Sequence, residues 1–510
     1  MADHRLLKLL SREFTTRTNI FVNIAANAIV AVAYIVAIPL YLPYIGVEAY
    51  GLVGLFAALQ TILTVLDLGL SVTLNRELAV RSNSPDRAGE MRDLVRTTEI
   101  IYWGIGLLIA VSGAASAPFL TGMANPAELS AATIRDCFVI MSIALALQFP
   151  IALYSGGLFG LQRQALVSAV FVVFLLLRSL GAVAILAFVS ATPQAFFVWQ
   201  AVCAGLHAAT LAGALRLALP PGDAGRFRAD IVRGLWRFSA GIGTILVLST
   251  IVTQADKIIL IRILSLENFG FYSIAAFLSA SVQRLIQPVY QAYFPKLSQL
   301  AENSDEAQLA RVYHQGSQVM AVIVLPVCSA FAFFSWEIML LWQRDAATAQ
   351  NTYHLVTLLM AGSALYGILF LPYGLQLANG WTKLQVASLI ASALLFIPLA
   401  ILLAARFGGV GTAIVWILYN LLFLAVTVPV MHRRLLKAEK WDWYLNDVLK
   451  PLLAVAAAGA LCRVAFIDSP SYLILSLELA AAYLIILAAA VMSSSYAREW
   501  LVARLRNSGA

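Results

Sequence analysis

Three basic side chains lie inside long apolar stretches of the sequence. They are Arg178, Lys257 and Arg284. A charge at the centre of a membrane-spanning helix costs about +2.5–3.5 kcal/mol and usually faces a bundle interior or a cavity. Such cations suit an anionic ligand such as a phosphate, because charge-assisted hydrogen bonds offset part of that cost. The alternative is that each cation forms a structural ion pair with a carboxylate.

The polar residues after Arg284 follow a helical spacing. Gln287 and Gln291 come three and seven positions later, on one face of a helix, and Gln283 and Tyr290 lie beside that face. A polar stripe on a membrane helix does not suit contact with lipid. It can bond to a neighbouring helix or form one wall of a water-filled cavity. We predict the second arrangement for this stripe.

A second polar pair and three carboxylates complete the candidate set. Asn23 and Asn27 stand four positions apart in the first apolar stretch, and we include them among the cavity residues. Asp67 and Asp256 are candidate proton-binding sites, and the third carboxylate is Glu478. Asp256 adjoins Lys257, and consecutive residues point in different directions from a helix. We therefore do not expect Asp256 to be the partner of Lys257.

No motif for catalysis or for a cofactor occurs in the sequence. The four cysteines, at positions 137, 203, 328 and 462, have unrelated spacings and are expected to pack in apolar surroundings. The five histidines are scattered, and no Gly-rich phosphate loop, zinc spacing or nucleophile elbow is present. We expect no catalytic residue, no metal and no cofactor, and hence a protein that is not an enzyme.

The elements that position these residues are membrane-spanning helices. The chain of 510 residues is 61% hydrophobic and only 12% charged, and a soluble domain carries about twice that charged fraction. Its apolar runs have about 18–25 residues, enough for a helix to cross a ~30 Å hydrocarbon core. We predict an all-α polytopic membrane protein with about fourteen spans. They are roughly 19–43, 49–73, 97–120, 134–158, 165–190, 195–218, 238–264, 269–294, 314–337, 353–378, 385–406, 409–431, 449–467 and 471–493.

The distribution of basic residues predicts the orientation. Most of the 34 Lys and Arg residues fall in the two termini and in alternate loops, which places that side in the cytoplasm. Both termini are then cytoplasmic, and the number of spans is even. The net charge of +8 reflects this topology, and we expect no binding to nucleic acid.

The chain also repeats itself weakly. EAYGL at 48–52 matches ENFGF at 267–271, and GLQR at 160–163 matches GWTK at 380–383, at shifts of 219 and 220 residues. Six spans separate the matched positions, so the halves are parallel repeats. We predict an N-terminal lobe at 1–218, a cytoplasmic linker at 219–237 and a C-terminal lobe at 238–431. The remaining segment, 432–510, holds a cytoplasmic loop, spans thirteen and fourteen, and the tail. A polar cavity between the lobes is the expected site.

Four short motifs resemble one transporter family. They are GVEAYGL at 46–52, LDLGLS at 66–71, GLFGLQR at 157–163 and QADKIIL at 254–260. With the two extra C-terminal spans, they resemble Wzx-type polysaccharide-unit flippases of the multidrug/oligosaccharidyl-lipid/polysaccharide exporter superfamily. The resemblance implies a MATE-like fold of two six-helix lobes in the bacterial inner membrane. It also implies a substrate, an oligosaccharide on an undecaprenyl pyrophosphate carrier, moved to the periplasmic leaflet for O-antigen, capsule or exopolysaccharide synthesis. A polysaccharide polymerase and chain-length regulators are candidate partners, beside the lipid-linked glycan and the bilayer.

Two other functions remain open. A MATE-type cation-coupled drug exporter has the same fold, but its members commonly carry an acidic residue in the first span, where this chain has Asn23 and Asn27. An integral membrane glycosyltransferase or polymerase would place catalysis on a sizeable outward loop, and no predicted outward loop exceeds about twenty residues. Asp67 and Asp256 leave proton coupling open, and the membrane potential can also act on charged groups.

Overall fold

The computed structural model describes residues 16–82, 87–223, 225–303, 305–467 and 471–499. For 16–34 and 231–244 it describes the backbone alone. Within these ranges the chain is helical, with no β-strand, as the apolar runs predicted. Contacts divide it into two compact units, Met1–Gln254 with Ser265–Glu267, and Ala255–Leu264 with Asn268–Ala510. The lobe and linker boundaries drawn from the sequence stay a prediction.

Eight helices cover the first half of the chain. They are α1 (Thr16–Leu63), α2 (Leu70–Arg81), α3 (Ala88–Met123), α4 (Ala131–Gln148), α5 (Pro150–Gly160), α6 (Gln164–Phe188), α7 (Pro193–Ala218) and α8 (Ala229–Ile263). A single 3₁₀ turn, Thr64–Asp67, follows α1.

Ten further helices follow. They are α9 (Leu266–Ser281), α10 (Gln283–Glu302), α11 (Glu306–Phe333), α12 (Ser335–Gln343), α13 (Ala346–Ala378), α14 (Thr382–Leu422), α15 (Val428–His432), α16 (Lys440–Asp442), α17 (Lys450–Val464) and α18 (Tyr472–Ser493). One π-helical turn, Phe423–Thr427, joins α14 to α15, and another, Trp443–Leu449, joins α16 to α17.

The structure confirms a polytopic membrane protein, with fewer continuous spans than the fourteen predicted. Eleven segments of the described chain are long and apolar enough to cross a membrane, judged by length and composition. The 48 residues of α1 and the 41 of α14 would be about 72 and 62 Å long, twice a bilayer core. A non-helical glycine divides each of them, Gly46 (φ 76°) in α1 and Gly408 (φ 58°) in α14. Divided at these glycines the eleven segments become thirteen, and α8, which covers the seventh predicted span, is not among them.

The second predicted span, 49–73, is interrupted rather than continuous. The helix ends at Leu63, and the 3₁₀ turn leads to Leu68 and Gly69, both left-handed at φ 46° and 79°. The chain becomes helical again at Leu70. Helix breaks of this kind free backbone groups inside a membrane protein, and polar side chains then satisfy them. Asp67 lies directly at this break.

The last two spans pack on α11 through polar side chains. His314 Nδ1 lies 2.5 Å from Asp447 Oδ2, and Gln318 Nε2 donates to Asp447 Oδ1 at 2.9 Å. The Oε1 atom of Gln318 also accepts from Ser494 Oγ, just after α18, at 2.9 Å. Buried polar groups need such partners. One face of α11 therefore holds both the segment that leads into α17 and the end of α18.

Candidate functional site

Arg178 is bound to a neutral amide. It lies on α6, and its Nε donates to Gln200 Oε1 on α7 at 2.8 Å. Gln200 is buried, and its Nε2 donates back to the Arg178 carbonyl at 3.4 Å. No ion pair of Arg178 occurs within the described residues. An amide orients the guanidinium without neutralising it, so Arg178 keeps its full positive charge inside the helix bundle.

Lys257 does pair with its sequence neighbour, contrary to our expectation. Its Nζ lies 3.2 Å from each oxygen of Asp256. The reason is the length of the lysine side chain. Four methylenes let the ammonium bend back along the helix to a residue whose Cβ points elsewhere. Asp256 also accepts from the hydroxyl of buried Tyr272 at 2.6 Å. Lys257 thus forms the kind of structural ion pair that was the alternative to substrate binding, and Asp256 offsets its positive charge.

Arg284, Gln287 and Gln291 lie on the exposed face of α10, as their spacing predicted. Ile286 and Val289 lie on the opposite face and are buried. This helix belongs to the membrane-spanning segment Leu266–Glu302. The three polar side chains therefore form a continuous stripe on the outside of their unit. We refer to Arg284, Gln287 and Gln291 as the α10 stripe.

Asp67 stabilises the break in the second span. Its Oδ2 accepts from Ser71 Oγ at 2.8 Å, and its Oδ1 accepts from the Ser71 backbone N–H at 3.3 Å. The buried Tyr102 hydroxyl on α3 donates to the same Oδ1 atom. An acceptor at the start of α2 satisfies one of the free amide groups of that helix. Asp67 is therefore a helix-capping residue whatever else it does.

The predicted residues are divided among separate places. Arg178 lies between α6 and α7, Asp67 between α1 and α2, Lys257 and Asp256 on α8, and the α10 stripe on its own helix. Asn23 and Asn27 belong to 16–34, whose side chains lie outside the described residues.

Three partners were not predicted from the sequence: Gln200, Tyr102 and Tyr272. Each comes from another helix, 22, 35 and 16 residues from the group it binds. Polar residues in apolar spans are the signal that would have pointed to them, since such residues usually bond to one another.

One group of ligand-type side chains lies away from these positions. Atoms of His314, Glu439 and Asp442 that are able to bind a metal lie within 4.8 Å of one another. His314 Nε2 is 3.1 Å from Glu439 Oε2, and its Nδ1 is taken by the buried Asp447. This group joins α11 to the segment before α17. The cysteines at 137, 203 and 328 are free and buried, as expected.

Comparisons with known proteins agree with this fold. The chain is 22% identical over 393 residues to a Shigella flexneri protein described as "Putative O-antigen transporter", covering 73% of this chain and 87% of that protein. The structure of this chain is similar to that of the lipid II flippase MurJ in an inward closed conformation (TM-score 0.64, 13% identity, 92% of this chain and 98% of that chain). It is also similar to an inward-facing multidrug resistance MATE family transporter (TM-score 0.63, 13% identity, 81% and 99%). At such identities the two structures establish the MATE-like fold alone.

The family is given by a sequence model that covers more than half of the chain. The model is that of the polysaccharide biosynthesis proteins, and it matches residues 16–301. All four motifs that resemble Wzx-type flippases begin within this range. The chain therefore belongs to the polysaccharide biosynthesis protein family, as a Wzx-type member.

Proposed function

We propose that this protein moves undecaprenyl-pyrophosphate-linked oligosaccharide units from the cytoplasmic to the periplasmic leaflet of the bacterial inner membrane, by alternating access. Family membership, the relative described as an O-antigen transporter and the fold shared with a lipid II flippase support the proposal. The reaction changes the leaflet of the glycan and no covalent bond. It therefore needs a polar path and anion-binding groups, and it needs no catalytic residue.

The α10 stripe is the observation that carries the proposal. Exposed amides and a guanidinium within the hydrophobic core would each lose hydrogen bonds to water if they faced lipid tails. The opposite face of α10 is already packed. A face that is polar and exposed on a segment long and apolar enough to span the membrane suits a water-filled cavity that admits a polar substrate. Transporters of this kind use such cavities for their ligands.

The cations give that cavity its selectivity for an anion. Arg178 has only an amide as its partner, and the guanidinium of Arg284 lies on the exposed stripe. Each is able to form two parallel hydrogen bonds to phosphate oxygens. Lys257 contributes less, because Asp256 offsets its charge. We propose that Arg178 and Arg284 are the main groups that attract the pyrophosphate, and that Lys257, Gln287, Gln291, Asn23 and Asn27 also contact the substrate.

Two carboxylates are candidates for energy coupling. Asp67 and Asp256 each accept a hydrogen bond from a buried tyrosine hydroxyl, Tyr102 and Tyr272. Protonation of either carboxylate would change a contact between two helices of the same unit. We propose these two residues as proton sites. We also propose that both chain termini lie in the cytoplasm. A polymerase and chain-length regulators are the proposed partners in the membrane.

Substitution at Arg284 tests the proposal. Arg284→Ala should leave the protein folded and inserted but lower surface-glycan yield, and Arg284→Lys should retain part of the yield because the charge remains. The measurement is membrane abundance beside surface-glycan yield. The matched control is Arg311→Ala, which removes an exposed arginine from α11. Full yield in Arg178→Ala and Arg284→Ala, at normal abundance, would contradict the proposal.

A second substitution separates a cavity wall from a lipid-facing surface. Gln287→Leu combined with Gln291→Leu makes the α10 stripe apolar at similar volume. A lipid-facing stripe would tolerate this change or become more stable. A cavity wall would lose hydrogen bonds to water and sugar, and glycan yield would fall with abundance unchanged.

A further inference from the structure

Six aromatic side chains form one connected surface in the C-terminal unit. They come from α10, α13 and α14, and we call them the aromatic wall: Tyr290, Phe294, Tyr366, Phe370, Tyr373 and Trp416. The Tyr290 ring stacks on Phe294 at 5.1 Å between centroids and meets Phe370 edge-on at 5.2 Å. The Tyr366 ring lies 5.5 Å from Phe370 and 5.4 Å from Trp416. All six residues are half-buried.

The aromatic wall adjoins the α10 stripe. Tyr290 follows Gln287 by three positions, and Phe294 follows Gln291 by three, so each amide has a ring one turn further along the same side of the helix. Gln283 Nε2, on the same flank of α10, donates to the Tyr366 hydroxyl on α13 at 2.7 Å. The rings and the amides therefore belong to a single surface.

Several polar groups on this surface have no partner among the described residues. Within the described ranges, neither the side-chain amide of Gln287 or Gln291 nor the hydroxyl of Tyr290 or Tyr373 takes part in a hydrogen bond. These groups are accessible rather than enclosed, since none of them is among the buried polar atoms without a partner. Unpaired polar groups on membrane-spanning segments need water or a hydrogen-bonding ligand.

Rings and unpaired amides together favour one class of ligand. An aromatic face is electron-rich and attracts the weakly positive C–H face of a pyranose ring. The hydroxyls at the rim of the sugar then need donors and acceptors, which amides and phenols supply. A lipid tail would use the rings and leave all four polar groups unpaired. A phosphate would use neither the rings nor the amide oxygens.

We propose that the aromatic wall is a sugar-binding surface, on which pyranose rings of the glycan stack while Gln287, Gln291, Tyr290 and Tyr373 bond to their hydroxyls. The inference rests on the proposed function and divides the substrate between two sets of residues. The cations hold the pyrophosphate. The aromatic wall holds sugars, and its tolerance of sugar identity follows from stacking, because many pyranoses present an apolar face.

Two probes test the two parts separately with the purified full-length protein in lipid nanodiscs. One probe is the repeat-unit oligosaccharide released by mild acid from the host's own lipid-linked intermediates, and the other is inorganic pyrophosphate. Phe370→Leu and Trp416→Leu should each weaken oligosaccharide binding about five- to tenfold and leave pyrophosphate binding unchanged. Tyr373→Phe keeps the ring and removes the hydroxyl, so its effect should be about two- to threefold. Arg284→Ala should show the reverse pattern.

The control is Phe407→Leu, which removes an exposed aromatic ring from α14 that has no ring neighbour within the described chain. It should bind both probes as the wild type does. Unchanged oligosaccharide affinity in Phe370→Leu and Trp416→Leu would overturn the sugar-binding surface. So would a wild type that binds pyrophosphate but not the oligosaccharide, and the proposed function would survive both results. Failure of the proposed function is a separate outcome, namely normal glycan yield in Arg178→Ala and Arg284→Ala.

Discussion

Helices α2 and α5 touch backbone to backbone, and a single methyl group tests that contact. A Cβ atom added at Gly160 would lie 2.4 Å from the carbonyl oxygen of Asn75, and one at Gly156 would lie 2.5 Å from that of Ser71. The two glycines stand one turn apart on α5, and the two carbonyls one turn apart on α2. This is the close approach that small residues allow in membrane helices. It holds α2 in place directly after the break at Asp67.

The cost of Gly160→Ala follows from the geometry. Carbon and oxygen atoms approach no closer than about 3.3 Å without repulsion, so the helices must separate by about 0.9 Å at this point. Overpacking of this kind costs about 1–3 kcal/mol, and the obstacle here is backbone, which cannot rotate away. Alanine regains about 0.5–1 kcal/mol because it is less flexible than glycine in the unfolded chain. We expect a net loss of about 1–2 kcal/mol.

Thermal unfolding of the purified protein measures this loss. A thiol-reactive dye reports unfolding, because the cysteines at 137, 203 and 328 are free and buried. The matched control is Gly213→Ala in α7, where an added Cβ has no atom within 4 Å. The control should unfold at the wild-type temperature or slightly above it, and Gly160→Ala about 1–2 °C below. Equal unfolding temperatures for the two variants would refute the close contact between α2 and α5.

Lys257→Ala should lower the amount of protein in the membrane, because Asp256 then keeps an uncompensated charge, and adding Asp256→Asn should restore that amount. Immunoblots of membrane fractions measure it. A double variant as scarce as the single variant would argue against the ion pair. A reporter enzyme that is active only in the periplasm should be inactive when fused after Ala510, and activity would mean that the orientation or the even span count is wrong. Glu48→Ala should lower the free energy of unfolding by about 1.5–3 kcal/mol and the unfolding temperature with it. The two carboxylate oxygens of Glu48 together accept three hydrogen bonds, at 2.7–3.1 Å, from consecutive backbone amides of the loop after α3. An unchanged unfolding temperature would show that water replaces those bonds without loss.

The fold was predictable because it depends on composition over long windows. Twenty apolar residues in a row have one stable structure in a bilayer, and fourteen such runs give the class of protein. The break in the second span was not predictable in the same way. It needs Leu68 in a left-handed conformation, which a leucine rarely adopts and which no local pattern signals. Contacts made by Asp67 with Ser71 and Tyr102 stabilise it, and Tyr102 is 35 residues away.

The candidate site was predictable in its residue types and less so in its contacts. The α10 stripe lies on one exposed face, since helical periodicity fixes which residues share a face. The pairing of Lys257 with Asp256 was not predicted, because the Cβ atoms of consecutive residues point in different directions and a long side chain is not bound by that direction. The aromatic wall draws on three helices, with Tyr290 and Trp416 more than a hundred residues apart. Periodicity within one helix carries no information about such an assembly.

The polar attachment of the last two spans to α11 has a consequence for the order of synthesis. The hydrogen-bond partner of His314, Asp447, is synthesised 133 residues later, and one partner of Gln318, the backbone amide of Tyr496, is synthesised 178 residues later. At about 5–20 residues per second, a ribosome needs roughly ten to thirty seconds to make the missing segment. During that time α11 carries unmatched polar groups beside lipid. The C-terminal segment thus supplies the partners for polar side chains of α11. A chain that ends before this segment leaves those side chains unpaired, and membrane proteases can recognise such a chain as incomplete.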